Sequence, residues 1–309
     1  MKKSLFLILG IFLAIIVSDR IVYGVIKHFE KQIFIGDSAG KVNYFNKIKD
    51  STDILIFGSS RAVHHLDPKV FGESCFNMGV DGKRIAYATG LVQTLKKKKQ
   101  TVFVHIDHVK LFDSQYDGVD VLTLLNKTSD NSQLRSFLMD VFPEDVWISD
   151  VFKCYSYNGK VFPILKNYVF QNKNVKTDGF APLAPDEEQK AIFKNMVKNR
   201  KDTLLRTLNK PYVVNPLVEK CIDRIIEMGR QNKSEIIFFT SPSLFQIDDE
   251  VRETVKSYFN SKGVNYIDDV DFFKGIDYDL WQDYTHMSVK GAELYSEHFY
   301  REFQELKNK

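Results

Sequence analysis

The chain has 309 residues, 44% of them hydrophobic, and 43 basic residues stand against 40 acidic ones for a formal net charge of +3. That length supplies one large core or two small ones, and so small a basic excess, with no basic segment interleaved with aromatics, argues against a nucleic-acid partner. Cys75, Cys154 and Cys221 make no CxxC and exclude a disulfide framework and a cysteine zinc site.

At the N-terminus, Lys2 and Lys3 precede an uncharged run from Leu5 to Val17. This charge order keeps the N-terminus in the cytoplasm and exports the rest. Val17-Ser18-Asp19-Arg20 is a poor cleavage site, so an uncleaved single-pass anchor is expected rather than a cleaved signal peptide. The run is shorter than the roughly 20 residues of a typical span, and extension through Ile21 to Ile26 makes up the difference. Residues 1–27 are therefore expected to be anchor and stalk, and residues 28–309 an extracytoplasmic domain.

Asp53 to Phe57 reads as a short buried strand closed by Gly58-Ser59-Ser60. Asp67-Pro68 marks a helix start, Cys75 to Met78 a second strand, Gly82 to Lys97 a helix and Thr101 to Ile106 a third strand. Lys96 to Lys99 read as the solvated end of that helix. Cys75 and Cys221, in apolar segments, read as buried small hydrophobes. Periodicity is irregular from there to about residue 185, an aromatic-rich stretch expected to pack onto the main sheet. Together with the stretch on to Arg230, it makes an insertion over about 113–230. Glu187 to Leu208 and Pro216 to Arg230 read as helices, and Glu235 to Thr240 as a strong strand. Asp248 to Ser261 reads as a helix capped by Gly263, Val264 to Ile267 as a last strand and Val289 to Leu306 as a terminal amphipathic helix. Buried strands alternating with helices predict a parallel α/β sheet, whose sites form at the C-terminal strand ends.

Ser60 sits at such an end, at a turn that Gly58 permits. Serine needs a positioned base, and the base an orienting partner. Asp283-Tyr-Thr-His286, after the last strand, offers both: His286 as base and Asp283 as the carboxylate that fixes its tautomer. His105 and Asp107 share a strand face and His64-His65 lie near the nucleophile turn, but no metal-binding spacing is present, so neither a metal nor another cofactor is expected. His64 and His65 are read as loop residues or a substrate contact.

These motifs, in this order, resemble the SGNH (GDSL-type) hydrolase superfamily, in the envelope branch where Gly-Ser-Ser replaces Gly-Asp-Ser. Relatives there include the membrane-anchored proteins of alginate O-acetylation and teichoic-acid D-alanylation. The resemblance spans roughly residues 50–110 and 235–305 and implies a three-layer α/β/α fold behind the transmembrane helix. It makes Ser60 the nucleophile and Asp283 and His286 its partners. Asn77-Met-Gly79-Val-Asp-Gly82 matches the second family block, in which the Gly82 amide joins that of Ser60 in the oxyanion hole. The family's Gly-x-Asn-Asp block is replaced by His105-Ile-Asp107-His108. An ionised Asp107 cannot donate to an oxyanion, which leaves His108, or two backbone amides alone.

The expected activity is a serine-dependent esterase or O-acyltransferase acting on ester-linked acyl groups of an envelope or surface polysaccharide. The resemblance implies a multi-spanning membrane acyltransferase as partner. The Asp107 departure motivates the alternative of a catalytically inactive adaptor that binds glycan or that acyltransferase.

Overall fold

A computed structural model describes residues 2–170, 177–199, 205–206, 208–273 and 275–308. In chain order its elements are α1 (Lys2–Glu30), α2 (Lys41–Ile48), β1 (Ile54–Phe57), α3 (Ser60–His65), β2 (Cys75–Asn77), α4 (Ile85–Val92), β3 (Thr101–His105) and α5 (His108–Leu111). There follow α6 (Ser132–Val141), α7 (Pro143–Val151), α8 (Val161–Phe170), α9 (Glu187–Asn199), β4 (Leu205–Arg206) and α10 (Pro216–Asn232). The chain closes with β5 (Glu235–Thr240), β6 (Gln246–Ile247), α11 (Asp249–Lys262), β7 (Asn265–Asp268) and α12 (Val289–Lys307). It divides into two compact units, residues 1–48 with 119–175, and residues 49–118 with 176–309.

The second unit is built on a five-stranded sheet in the order β2-β1-β3-β5-β7, with every pair parallel. This bears out the expected parallel α/β architecture. Successive strand side chains point to opposite faces. Phe103 and Phe239 pack on Phe299 of α12 with ring centroids 5.1 and 4.9 Å apart, whereas Phe238 stacks on Phe259 of α11 at 4.7 Å. Each of these fully buried rings contributes about 1.5–3 kcal/mol by leaving water. The strand order reverses direction of growth between β1 and β3, which opens a crevice at their carboxyl ends.

Caps set the helix limits. Asn215 accepts from the amides of Leu217 and Val218 with Pro216 at the first position of α10. Asp248 caps α11, which ends at Gly263 in the left-handed region. Other expectations are corrected. The helix expected over 82–97 is only Ile85–Val92, and Asp67-Pro68 starts a single 3-10 turn, Pro68–Phe71. The helix expected over 187–208 is described over Glu187–Asn199, and Leu205–Arg206, expected in the same helix, pairs as a strand with Gln246–Ile247. Residues 200–204 and 207 lie outside those described.

The first unit gathers the N-terminal segment and half of the expected insertion. Glu30 of α1 is 1% exposed and accepts from the Tyr157 hydroxyl (2.6 Å) and the Asn126 amide (2.7 Å), and Lys127 pairs with it. Ile33, Ala39, Tyr157 and Ile164 form its core, against which Tyr23, Ile26, Phe29 and Tyr168 pack. The aromatics of this stretch were expected to pack on the sheet; Tyr157 and Tyr168 instead complete a core with the N-terminal helix. The domain boundary differs accordingly from the one expected at residue 27. Helix α1 is long and apolar enough to cross a membrane, and its residues from Leu5 to Val17 are bare apart from the half-buried Ile16.

Candidate active site

Strand β1 ends at Phe57, and Gly58 turns the chain with φ +152°. A Cβ here would stand 2.6 Å from the His105 Cβ and 2.8 Å from the Ala62 Cβ, so only glycine lets α3 pass this close to β3. Ser59 is the N-cap residue and Ser60 the first residue of α3. Asn77, the buried last residue of β2, locks the turn: its amide donates to the carbonyls of Ala62 and Leu66, and its oxygen accepts from the Gly79 amide. The backbone between β1 and β2 is thereby rigid where Ser60 projects.

His286 Nε2 lies 2.7 Å from Ser60 Oγ, and its Nδ1 lies 2.7 Å from Asp283 Oδ2. The other Asp283 oxygen accepts from the amides of Thr285 (2.8 Å) and His286 (2.9 Å) and from the Thr285 hydroxyl (3.1 Å). The three-residue spacing folds as a turn that wraps the carboxylate in its own backbone donors. Burial pushes the Asp283 carboxyl up, but the hydrogen bonds from His286 and Thr285 outweigh it and bring the pKa down to about 2. An ionised Asp283 only accepts, so Nδ1 carries the proton and Nε2 is left to accept from the Ser60 hydroxyl. That is the tautomer in which imidazole acts as a general base toward serine.

Behind these three residues, further polar groups hold the arrangement. Arg61, 5% exposed, donates to Asp107 Oδ2 (2.9 Å) and to the carbonyls of Ser241 and Pro242. One guanidinium thus ties the ends of β1, β3 and β5 together. Burial pushes the Asp107 carboxyl up, and the adjacent Arg61 charge overcomes it and holds the group below the usual carboxylate range. The Met287 amide can only donate, so His65 Nε2 accepts from it (3.2 Å) and His65 Nδ1 carries the proton toward Ser241 Oγ (2.8 Å). The Ser241 hydroxyl is then free to donate to His105 Nε2 (3.1 Å). Burial first, and the nearby Arg61 charge second, push both His65 and His105 well below the usual imidazole range, so both rings are neutral.

Of the remaining sequence candidates, Gly82 lies in the turn after β2 with φ +69° and open space where a Cβ would stand. Among the described residues neither its amide nor that of Ser60 has an acceptor in the protein. Asp107 caps α5 through the Val109 amide and faces Arg61. His108 is turned away: its Nε2 points to the Tyr266 hydroxyl (3.1 Å) and to Asp268 (3.2 Å), and the ring is 1% exposed. His64 is held between the Ala181 carbonyl (2.5 Å) and Asp81 (3.0 Å) and meets the His286 ring edge-on at 5.6 Å. A cavity of about 40 Å³ reaches the turn at Ser59 and is lined by Lys83, Arg84, His105, Asp107 and Lys110, among others. Two larger clefts, of about 580 and 600 Å³, lie along Arg252 and include none of Ser60, Asp283 and His286.

Sequence reasoning missed Arg61 and Ser241. Arginine directly after Ser60, at the start of a segment that follows an apolar strand, was the available signal, because a guanidinium there is buried only if paired. Ser241 gave none, since its role is to link two histidines from distant segments. No family model matches the chain, and no curated protein matches it significantly.

Proposed function

We propose that the chain is a serine-dependent esterase or O-acyltransferase of the SGNH type, with a three-layer α/β/α domain, acting outside the cytoplasm on ester-linked acyl groups of an envelope or surface polysaccharide. The observation that carries this reading is the hydrogen-bonded line Ser60–His286–Asp283 at the carboxyl end of β1. Ser60 Oγ attacks the acyl carbonyl while its proton passes to His286 Nε2. The carbonyl oxygen, now negative, is stabilised by the amides of Ser60 and Gly82. Collapse expels the alcohol, which takes the proton from His286 and leaves an acyl ester on Ser60. Water or a sugar hydroxyl then repeats the sequence in reverse, giving hydrolysis or transfer. A multi-spanning membrane acyltransferase as donor partner rests on the family resemblance.

The second reading, an inactive adaptor, draws on Asp107, whose pairing with Arg61 removes it as an oxyanion donor. One missing donor costs about 10²–10³ in rate, which slows a hydrolase without abolishing nucleophilic attack. The two readings separate on incubating the full chain with an activated aryl acetate and mapping its peptides by mass spectrometry. The enzyme reading expects an acetyl group on Ser60 that is absent in Ser60→Ala. With no adduct and no turnover above the variant, the adaptor reading stands instead.

The same proposal places α1 across the membrane with Lys2 and Lys3 in the cytoplasm, and seats the unit of residues 1–48 and 119–175 on the outer leaflet. Supporting this, α8 packs Ile164 and Tyr168 inward while Phe162 (76% exposed), Val169 (69%) and Phe170 (78%) face outward.

A further inference from the structure

Three side chains outside the site converge where β7 meets α12. Asp269 directly follows β7, and His298 and Glu302 lie four residues apart on one face of α12. His298 Nε2 is 3.4 Å from Asp269 Oδ1 and 3.7 Å from Glu302 Oε1, and one ligand-capable atom from each residue lies within 4.8 Å of the others. A tetrahedral ion with bonds of about 2.0–2.2 Å holds its ligand atoms about 3.4 Å apart; the two separations from His298 stand within tenths of an ångström of that spacing, and the third is no more than 4.8 Å.

The pieces are already fixed. The Asp269 backbone donates to the Thr240 carbonyl and accepts from the Phe272 amide. The His298 ring stacks on Phe272 with centroids 4.1 Å apart and planes 17° from parallel. Asp269 is 7% exposed, yet its Oδ2 has no hydrogen-bond partner within hydrogen-bond geometry. A charged carboxylate oxygen left unpaired at this depth is costly, and a bound cation would answer it. The cleft of about 580 Å³ lined by Asp269 and Glu302 gives an ion and its waters a way in.

We propose that Asp269, His298 and Glu302 bind a divalent transition cation of the zinc or manganese type, which staples the two ends of the loop that carries Asp283 and His286. One imidazole and two carboxylates suit such borderline ions, whereas calcium and magnesium prefer oxygen alone. The chain between Asp269 and α12 is the loop that holds both groups facing Ser60, so an ion joining its start to the helix after it restrains its base. The site is independent of the acyl chemistry: a Ser60→Ala chain binds the ion as the unaltered chain does.

The test titrates ZnCl2 into tag-free, chelator-treated full chain by calorimetry, beside His298→Gln and Glu302→Gln, and follows deuterium uptake over residues 270–288. Expected are one equivalent of zinc bound, at least tenfold weaker binding in each variant, slower uptake in the loop, and no comparable binding of CaCl2. Glu302 is half-buried on the helix surface, so its variant folds even if that of His298 does not. No saturable binding overturns the assignment. Equal binding in the Glu302 variant also overturns it, by placing the ion elsewhere, such as on His286. Binding without any change in loop uptake overturns the staple.

Discussion

Asp283 and Asp107 are both carboxylates at the mouth of one crevice, yet their partners give them opposite duties. Asp283 is wrapped by two amides and a hydroxyl and answers the His286 ring. Replacing it by Asn keeps the size but offers an amide that can hold the wrong tautomer of His286, and turnover of an aryl acetate is expected to fall about 10³–10⁴-fold. A fall of less than tenfold would remove Asp283 from the mechanism. Its depressed pKa gives the pH sign: the contribution of the charged form is complete above the unfolded carboxylate range and is lost only as pH falls through about 2. Loss of activity between pH 7 and 4 therefore does not come from Asp283. Asp107 instead neutralises a buried guanidinium. Changing it to Asn gives the residue found in the SGNH family that the sequence resembles, but whichever way the amide lies, its NH2 faces either Arg61 or the Val109 amide, donor against donor. Asp107→Asn is thus expected to cost at least about 1–3 kcal/mol in urea unfolding and to leave turnover no faster. A hundredfold gain in turnover would show that the clamp yields to the oxyanion.

At the scale of elements, the ends of α3, β3 and β5 are joined by the His65–Ser241–His105 line. Both rings are neutral in the fold, whereas the unfolded chain protonates them near 6.5. The unfolded state therefore binds more protons below that pH. Stability from this pair is complete above pH 6.5 and falls as pH drops, by about 1.4 kcal/mol per unit for each ring. His105→Gln, whose carbonyl can still accept from Ser241, is expected to show a flatter decline between pH 6.5 and 5.5 in urea unfolding. Equal slopes for the two proteins would mean that His105 does not carry this linkage. The elements legible from sequence were those with strong local signals: the apolar strands around Ile54–Phe57, Thr101–His105 and Glu235–Thr240, and capped amphipathic helices such as Pro216–Asn232. In the site, Ser60, Asp283 and His286 stood out by residue type and position, whereas Arg61 did not, because two of its partners are backbone carbonyls without a side-chain signature. Residues 119–157 were illegible for a different reason. Their 3-10 turns over Val119–Asp130 and Lys153–Tyr157 carry no 3.6-residue period, and they bond to Glu30 of the N-terminal helix across 96 to 127 residues of sequence.

At the scale of the whole molecule, the open question of length at the N-terminus finds an answer in the first unit. The apolar run from Leu5 to Val17 spans about 20 Å as a helix, against about 30 Å of hydrocarbon. Beyond it Ile21, Val22 and Val25 remain 49–63% exposed. The charges between are occupied: Asp19 accepts from the amides of Lys153 and Cys154, and Arg20 donates to the carbonyls of Asp150 and Val151. The unit thus pairs both charges and covers Asp19, while the Arg20 side chain stays 41% exposed. Helix α8 lies against α1 through Tyr168 and Phe29, with ring centroids 4.8 Å apart, and turns its apolar outer arc away from the unit's own core. On the proposed reading of α1 as a membrane span, an arc this apolar sits at the headgroup–acyl boundary, where such helices sink about 5–10 Å. A fluorophore at Phe170→Cys in a Cys154→Ser chain, reconstituted alone in a lipid nanodisc, is expected to be quenched by spin-labelled lipid and protected from aqueous iodide. Leu13→Cys reports the anchor and Glu253→Cys the solvent. If Leu13 is protected and Phe170 is as open to iodide as Glu253, the span stands and the seat falls, leaving the α8 face to a protein partner. If Leu13 is open as well, the membrane reading itself fails. Protection at both positions makes the first unit a lipid-embedded collar that completes a span too short to cross on its own.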